Sequence, residues 1–218
     1  MQINDGVKHL LMAMAASAVM GAAAVAQAGI LIPTGFAKGS ETFTLSIGGT
    51  VSAGGFKGTW NGSPIQFWCA ELGQSFSFNP NPGYTYTASV PNDATFTAIG
   101  QLFHEAYAMA LVDTDHSAAF QLALWEILFN GDLSSLNLAT GAFKVTDDHG
   151  NHNAVAIAQT WLADLGNFTD NYTITKLSNE TRQDFMTAPE PGPLALIGVA
   201  LAAMLVGGRR RGNPDSRG

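Results

Sequence analysis

Residues 118–129 read Ala-Ala-Phe-Gln-Leu-Ala-Leu-Trp-Glu-Ile-Leu-Phe, and only Gln121 and Glu126 are polar among these twelve. The segment predicts a helix, and a helix that is apolar nearly all round is covered on every side. Ser117 stands where an N-cap is expected. Gln121 is followed at i+4 by Trp125. A carboxamide placed in such a helix must find hydrogen-bond partners or destabilise the fold. Glu126, the one ionisable group of the segment, is expected at a rim or exposed position.

Residues 41–90 carry a different period. Phe43, Leu45 and Ile47 alternate with Thr42, Thr44 and Ser46, as in a strand with one buried face. Ile65, Phe67 and Cys69 share one face of a second strand, with Gln66, Trp68 and Ala70 on the other. Phe76 and Phe78 alternate with serines in an expected third, and 84–87 make a fourth after the turn at 79–83. Beyond it, Phe96, Ile99, Phe103, Ala106 and Ala110 fall on one helical stripe, with Asn92 or Asp93 as N-cap. Residues 141–145 suggest a short strand, and a third helix carries Ala154, Ala158, Trp161, Leu162 and Leu165. Tyr172, Ile174 and Phe185 suggest closing strands. The fold expected is α+β: an N-terminal antiparallel β region, then helices inserted before the closing strands.

The two ends read as addresses. Lys8 and His9 precede an apolar stretch over 10–25, and Ala26-Gln27-Ala28 is a small-x-small cleavage site, so 1–28 is expected to be a signal helix removed by signal peptidase. Between it and residue 187 lie five basic and fourteen acidic residues. That acidity argues against nucleic acid or anionic lipid as a partner. Near the C-terminus prolines at 189, 191 and 193 interrupt any helix. An uncharged, helix-forming run over 194–208 follows, then Arg209, Arg210 and Arg211. At about 15 residues this hydrophobic helix is short against the ~20 that span a bilayer comfortably. Arginines after it would hold that end on the cytoplasmic side.

Pro189-Glu190-Pro191, the short apolar run and the arginine cluster together resemble the PEP-CTERM sorting signal of Gram-negative bacteria. Ala188 departs from that pattern, as does the polar tail at 212–218. The resemblance implies an exosortase partner and transient anchoring by a transmembrane helix in the inner membrane. Delivery to the cell surface or the exopolysaccharide matrix would follow. The expected organisation is therefore a signal peptide at 1–28, a mature domain at 29–187, the sorting signal at 188–211 and a tail at 212–218.

The chain has one cysteine, Cys69, so no intramolecular disulfide is available. Its strand pattern turns it inward, as the helix pattern turns Gln121. A thiolate attacking a glutamine carboxamide expels ammonia and leaves an internal thioester, which apolar surroundings shield from water. Phe67-Trp68-Cys69-Ala70 and Phe120-Gln121-Leu122-Ala123-Leu124-Trp125 resemble the two signatures of bacterial thioester domains, which are surface adhesin modules. The resemblance implies Cys69 as sulfur donor, Gln121 as acyl donor and Trp125 packed beside the bond. The other reading makes Cys69 a small buried hydrophobe and Gln121 a partner of the backbone.

Two polar clusters, 113–116 and 147–153, offer carboxylates and imidazoles but match neither an EF-hand nor a zinc spacing. Trp60, Trp68, Tyr84 and Tyr86 would suit either a sugar platform or the core. Hydrolase, metalloprotease and P-loop signatures are missing from the sequence. The expectation is an exported surface protein that is not an enzyme and needs neither cofactor nor metal. It adheres covalently to an amine-bearing target through Cys69 and Gln121, or serves as a noncovalent structural or glycan-binding matrix protein with an inert cysteine.

Overall fold

β-Branched and aromatic residues interleaved with small polar ones favour a pleated, half-buried chain, and six strands precede the first helix. They are β1 (Gln27–Phe36), β2 (Glu41–Leu45), β3 (Gly49–Ala53), β4 (Phe56–Trp60), β5 (Ser63–Cys69) and β6 (Tyr84–Ser89). Helices α1 (Ala94–Ala110) and α2 (Thr114–Phe129) follow, then β7 (Val145–Asp147), α3 (His152–Asp164), β8 (Thr175–Ser178) and β9 (Phe185–Thr187). This computed structural model describes residues 27–188. The expected terminal helices lie outside the described residues, as do Ala26, Pro189, Glu190, Pro191, Arg209, Arg210 and Arg211. Among the described residues no helix is long and apolar enough to cross a membrane.

Mixed helices and antiparallel strands are present, in an arrangement that the sequence pattern did not specify. Six strands close into a barrel in the order β1-β4-β5-β9-β8-β6, and β3-β2-β7 form a separate small sheet. Closure removes the exposed edges that an open sheet would leave. β1 makes closure possible by pairing with β4 on one side and β6 on the other. The expected cleavage point after Ala28 falls inside β1, where Ala28 lies opposite Thr87.

α2 is the covered element that its composition demands, with every residue from Ser117 to Ile127 buried. It packs on α1, α3 and both longer strands of the small sheet. β5 joins it to the barrel. The Trp68 ring meets Phe103 at 5.4 Å and Phe120 at 4.9 Å on the helical side. Phe67 meets Phe56 at 5.7 Å and Phe185 at 4.8 Å. β5 is thus buried on both faces at its C-terminal end, not on one as its alternation suggests. Truncating Trp68 would cost about 3–5 kcal/mol, in the range of large aromatic deletions.

Several local expectations are corrected. Residues 70–83 hold no strand, because the prolines at 80 and 82 remove ladder donors. Phe76 packs instead against Phe56 and Phe185 at 5.1 Å each. Ile47 lies beyond the end of β2 and is exposed. α2 starts a turn early: Asp113 is its N-cap, accepting from the His116 N–H at 2.9 Å, which frees Ser117 for another role. The strand expected at 141–145 begins only at Val145. Tyr172 precedes β8, its N–H donating to the Gly100 carbonyl at 3.0 Å.

Candidate functional site

The site forms where the β4–β5 ladder runs out. That ladder ends at Phe56 opposite Phe67, while β5 continues to Cys69 along β9, with Cys69 opposite Phe185. The backbone of Cys69 therefore lacks a strand partner on its β4 side. Gly54 and Gly55 carry the chain away there, and a Cβ at Gly55 would fall 2.8 Å from the Trp68 ring. α2 fills the gap. Ser117, Gln121 and Trp125 are spaced four apart, which places them on one stripe of the helix.

Each member of the stripe meets the barrel rim. Ser117 Oγ accepts from the Gly55 N–H at 2.9 Å. Gln121 Oε1 accepts from the Cys69 N–H at 2.9 Å, and its Nε2 donates to the Cys69 carbonyl at 2.9 Å. Gln121 is fully buried, so its carboxamide replaces a missing strand in the low-dielectric interior. The pairing also fixes the amide orientation, since a backbone N–H can only donate. The structure thus brings Gln121 onto Cys69, with Trp125 one turn along.

The thiol has a second set of neighbours. Cys69 Sγ donates to the Glu71 carbonyl at 2.6 Å, and Gln183 Nε2 donates to that same oxygen at 2.7 Å. Burial pushes the Cys69 thiol up to about 12, opposed by hydrogen bonding from the Glu71 backbone and the Trp125 and Gln183 side chains. Cys69, Trp125 and Gln183 line one groove of about 460 Å³, whose other walls include Phe56, Phe76 and Phe78. The Trp125 indole N–H, in a residue 1 % exposed, has no partner of normal hydrogen-bond geometry. Its side chain is one of those that oppose the effect of burial on the thiol. Ser117, Glu71 and Gln183 were missed as site residues. The four-residue spacing of Ser117, Gln121 and Trp125 was the available signal for the first. None pointed to the other two.

Other candidates separate. Glu126 is 0 % exposed, not at a rim. Its Oε1 accepts from the Asn137 N–H at 2.7 Å, tying the loop after α2, while Oε2 has no partner. His149 Nε2 lies 3.0 Å from Thr44 Oγ1, whereas His152 pairs with Asp148. No group of three or more His, Cys, Asp or Glu side chains among the described residues is placed to hold a metal. Trp68 and Tyr86 are buried, which removes them from a sugar platform.

No family model matches the chain, and no curated protein matches it. Among solved structures, the N-terminal domain of the Streptococcus pyogenes pilus tip adhesin Cpa is similar, with a TM-score of 0.41 and 11 % identity. The match covers 62 % of this chain and 82 % of that one. At that level of likeness the chemistry rests on Cys69, Gln121 and their surroundings.

Proposed function

We propose that this chain is an exported surface or matrix protein whose domain forms a Cys69–Gln121 thioester and attaches covalently to an amine on its target. The observation that carries the reading is the double hydrogen bond between the Gln121 carboxamide and the Cys69 backbone at a fully buried site. It holds the acyl donor against the residue that bears the thiol, as intramolecular attack requires. Donation from the Cys69 N–H to Oε1 also polarises the carbonyl toward attack.

The bond-forming step balances within the pair. Sulfur attacks the Gln121 carboxamide carbon, the C–S bond forms, the C–N bond breaks, and ammonia leaves with the thiol proton. A thiol pushed up to about 12 is almost wholly protonated at neutral pH. Formation should therefore accelerate by about tenfold per pH unit through the mildly alkaline range. Turnover is not part of this function, since each domain reacts once. Signal peptidase and exosortase process the two ends, the inner membrane serves as a transient anchor, and polysaccharide or an amine-bearing surface supplies the target.

A second reading has its own observation. Gln121 is fully paired by backbone, and the thiol is neutral and already donates to Glu71. A noncovalent matrix protein with an inert core cysteine would look the same. Intact mass of the purified domain separates the two. A molecule lighter by one ammonia, regaining a titratable thiol on methylamine treatment, establishes the thioester. Full mass with a free thiol at every pH that preserves the fold leaves the noncovalent reading.

A further inference from the structure

Thioester reactivity depends on how well the departing sulfur is held, and the groove beside Cys69 contains groups for that purpose. We propose that the Trp125 indole N–H and the Gln183 side-chain amide are a pair of donors that hold the Cys69 sulfur as it leaves. This rests on the thioester reading for its use in function, but not for its geometry.

Three observations support the assignment. Trp125, Gln183 and Cys69 line the same groove. Sγ and Gln183 Nε2 converge on a single carbonyl oxygen, that of Glu71, at 2.6 and 2.7 Å, which places them side by side. Trp125 Nε1 is buried without a normal partner, an arrangement that ordinarily destabilises a fold. Both residues also oppose the burial that keeps the thiol protonated.

The step balances as follows. An amine lone pair attacks the Gln121 carbonyl carbon and forms a C–N bond. The C–S bond breaks with its electron pair on sulfur. The new ammonium then passes a proton to that thiolate, leaving an amide and a thiol. During this sequence negative charge appears on sulfur in a buried site where water cannot stabilise it. Two N–H donors from the walls of the same groove, turning to the sulfur as charge develops on it, lower that barrier. Tryptophan is the apt member of the pair, because it closes the groove to water and donates from the same ring. Trp125 and Gln183 are accordingly expected to act on departure of the sulfur more than on binding of the amine.

The test uses the domain after methylamine treatment, so that Cys69 carries a free thiol whether or not a thioester had formed. Alkylation by iodoacetamide is followed from neutral to mildly alkaline pH in wild type, W125F and Q183M. Loss of a donor should lower the alkylation rate at each pH by about tenfold for W125F, equivalent to one pKa unit, and less for Q183M. In a nitrogen–proton spectrum, the indole signal lost in W125F should shift when wild-type Cys69 is alkylated. Where the thioester forms, methylamine opening should slow in the same order. Unchanged alkylation profiles in the folded variants, with an indole signal indifferent to alkylation, would overturn the assignment. If W125F fails to fold, Q183M and the wild-type indole signal decide alone. Absence of ammonia loss would remove the thioester without touching these readouts, so the two failures remain distinguishable.

Discussion

Gln121 and Glu126 lie five residues apart on α2, are equally buried and meet different sides of the molecule. Gln121 faces the barrel, where β5 outruns its neighbour, and both ends of its amide are paired with one residue. Glu126 faces the loop after α2, where one oxygen takes the Asn137 N–H and the other has no partner. A regular strand end offers a donor and an acceptor at fixed spacing, which a carboxamide matches. An irregular loop offered Glu126 a single N–H. A buried polar group is therefore structural where it meets a regular edge, and a source of pH sensitivity where it meets a loop.

The largest expected effect tests the barrel side. Q121A would orphan a buried N–H and a buried carbonyl and open a cavity, costing about 3–5 kcal/mol by chemical denaturation. A loss below about 1 kcal/mol would mean that α2 is held to β5 by apolar packing alone. On the loop side, E126Q keeps an acceptor for Asn137 but has no proton to lose. Burial raises the Glu126 pKa. At low pH the carboxyl is protonated in both folded and unfolded states and costs nothing. As pH rises past the ordinary carboxylate range, the unfolded chain ionises freely and the native state is penalised. E126Q should therefore be more stable than wild type once pH passes the ordinary carboxylate range, and equal to it in acid, by chemical denaturation. A constant difference across pH would break the contrast between the two sides.

What could be read from the sequence followed the same division. The α1 stripe was legible because Phe96, Ile99, Phe103 and Ala106 repeat at helical spacing, and its cap was legible as Asn92 or Asp93, of which Asp93 accepts from the Phe96 N–H at 3.0 Å. The inward turn of Gln121 was legible from the apolar helix around it. Glu126 was misplaced because its cover is a loop without periodicity, which no pattern announces. Barrel closure was hidden as well. β1 contains Gly29, Pro33 and Gly35, which blur its alternation, and its register shifts between Pro33 and Gly35. β9 has only three residues, all buried, and so has no alternation to read. The identity of the strand beside Cys69 depends on that closure, which is why Glu71 and Gln183 stayed out of view.

The N-terminal end of α2 supplies a third environment and the smallest expected effect. Glu41, at the start of β2, is half-buried beside Asp115 and Asp113. Burial, hydrogen bonding to Asp115 and the two nearby carboxylates raise its pKa to about 7. Below the ordinary carboxylate pKa the proton is bound in both states, and the full stability of the cluster is present. Between there and about 7 the unfolded chain releases the proton while the folded one retains it, so stability falls as pH rises. Solvent screens a partly exposed group, so the loss should be about 1 kcal/mol and smaller in high salt. E41Q keeps a donor for Asp115 and cannot ionise, so its denaturation midpoint should match wild type in acid and exceed it above neutrality. A salt-independent gain would assign the effect to packing, and no gain at all would mean that the three carboxylates do not repel one another in the folded chain.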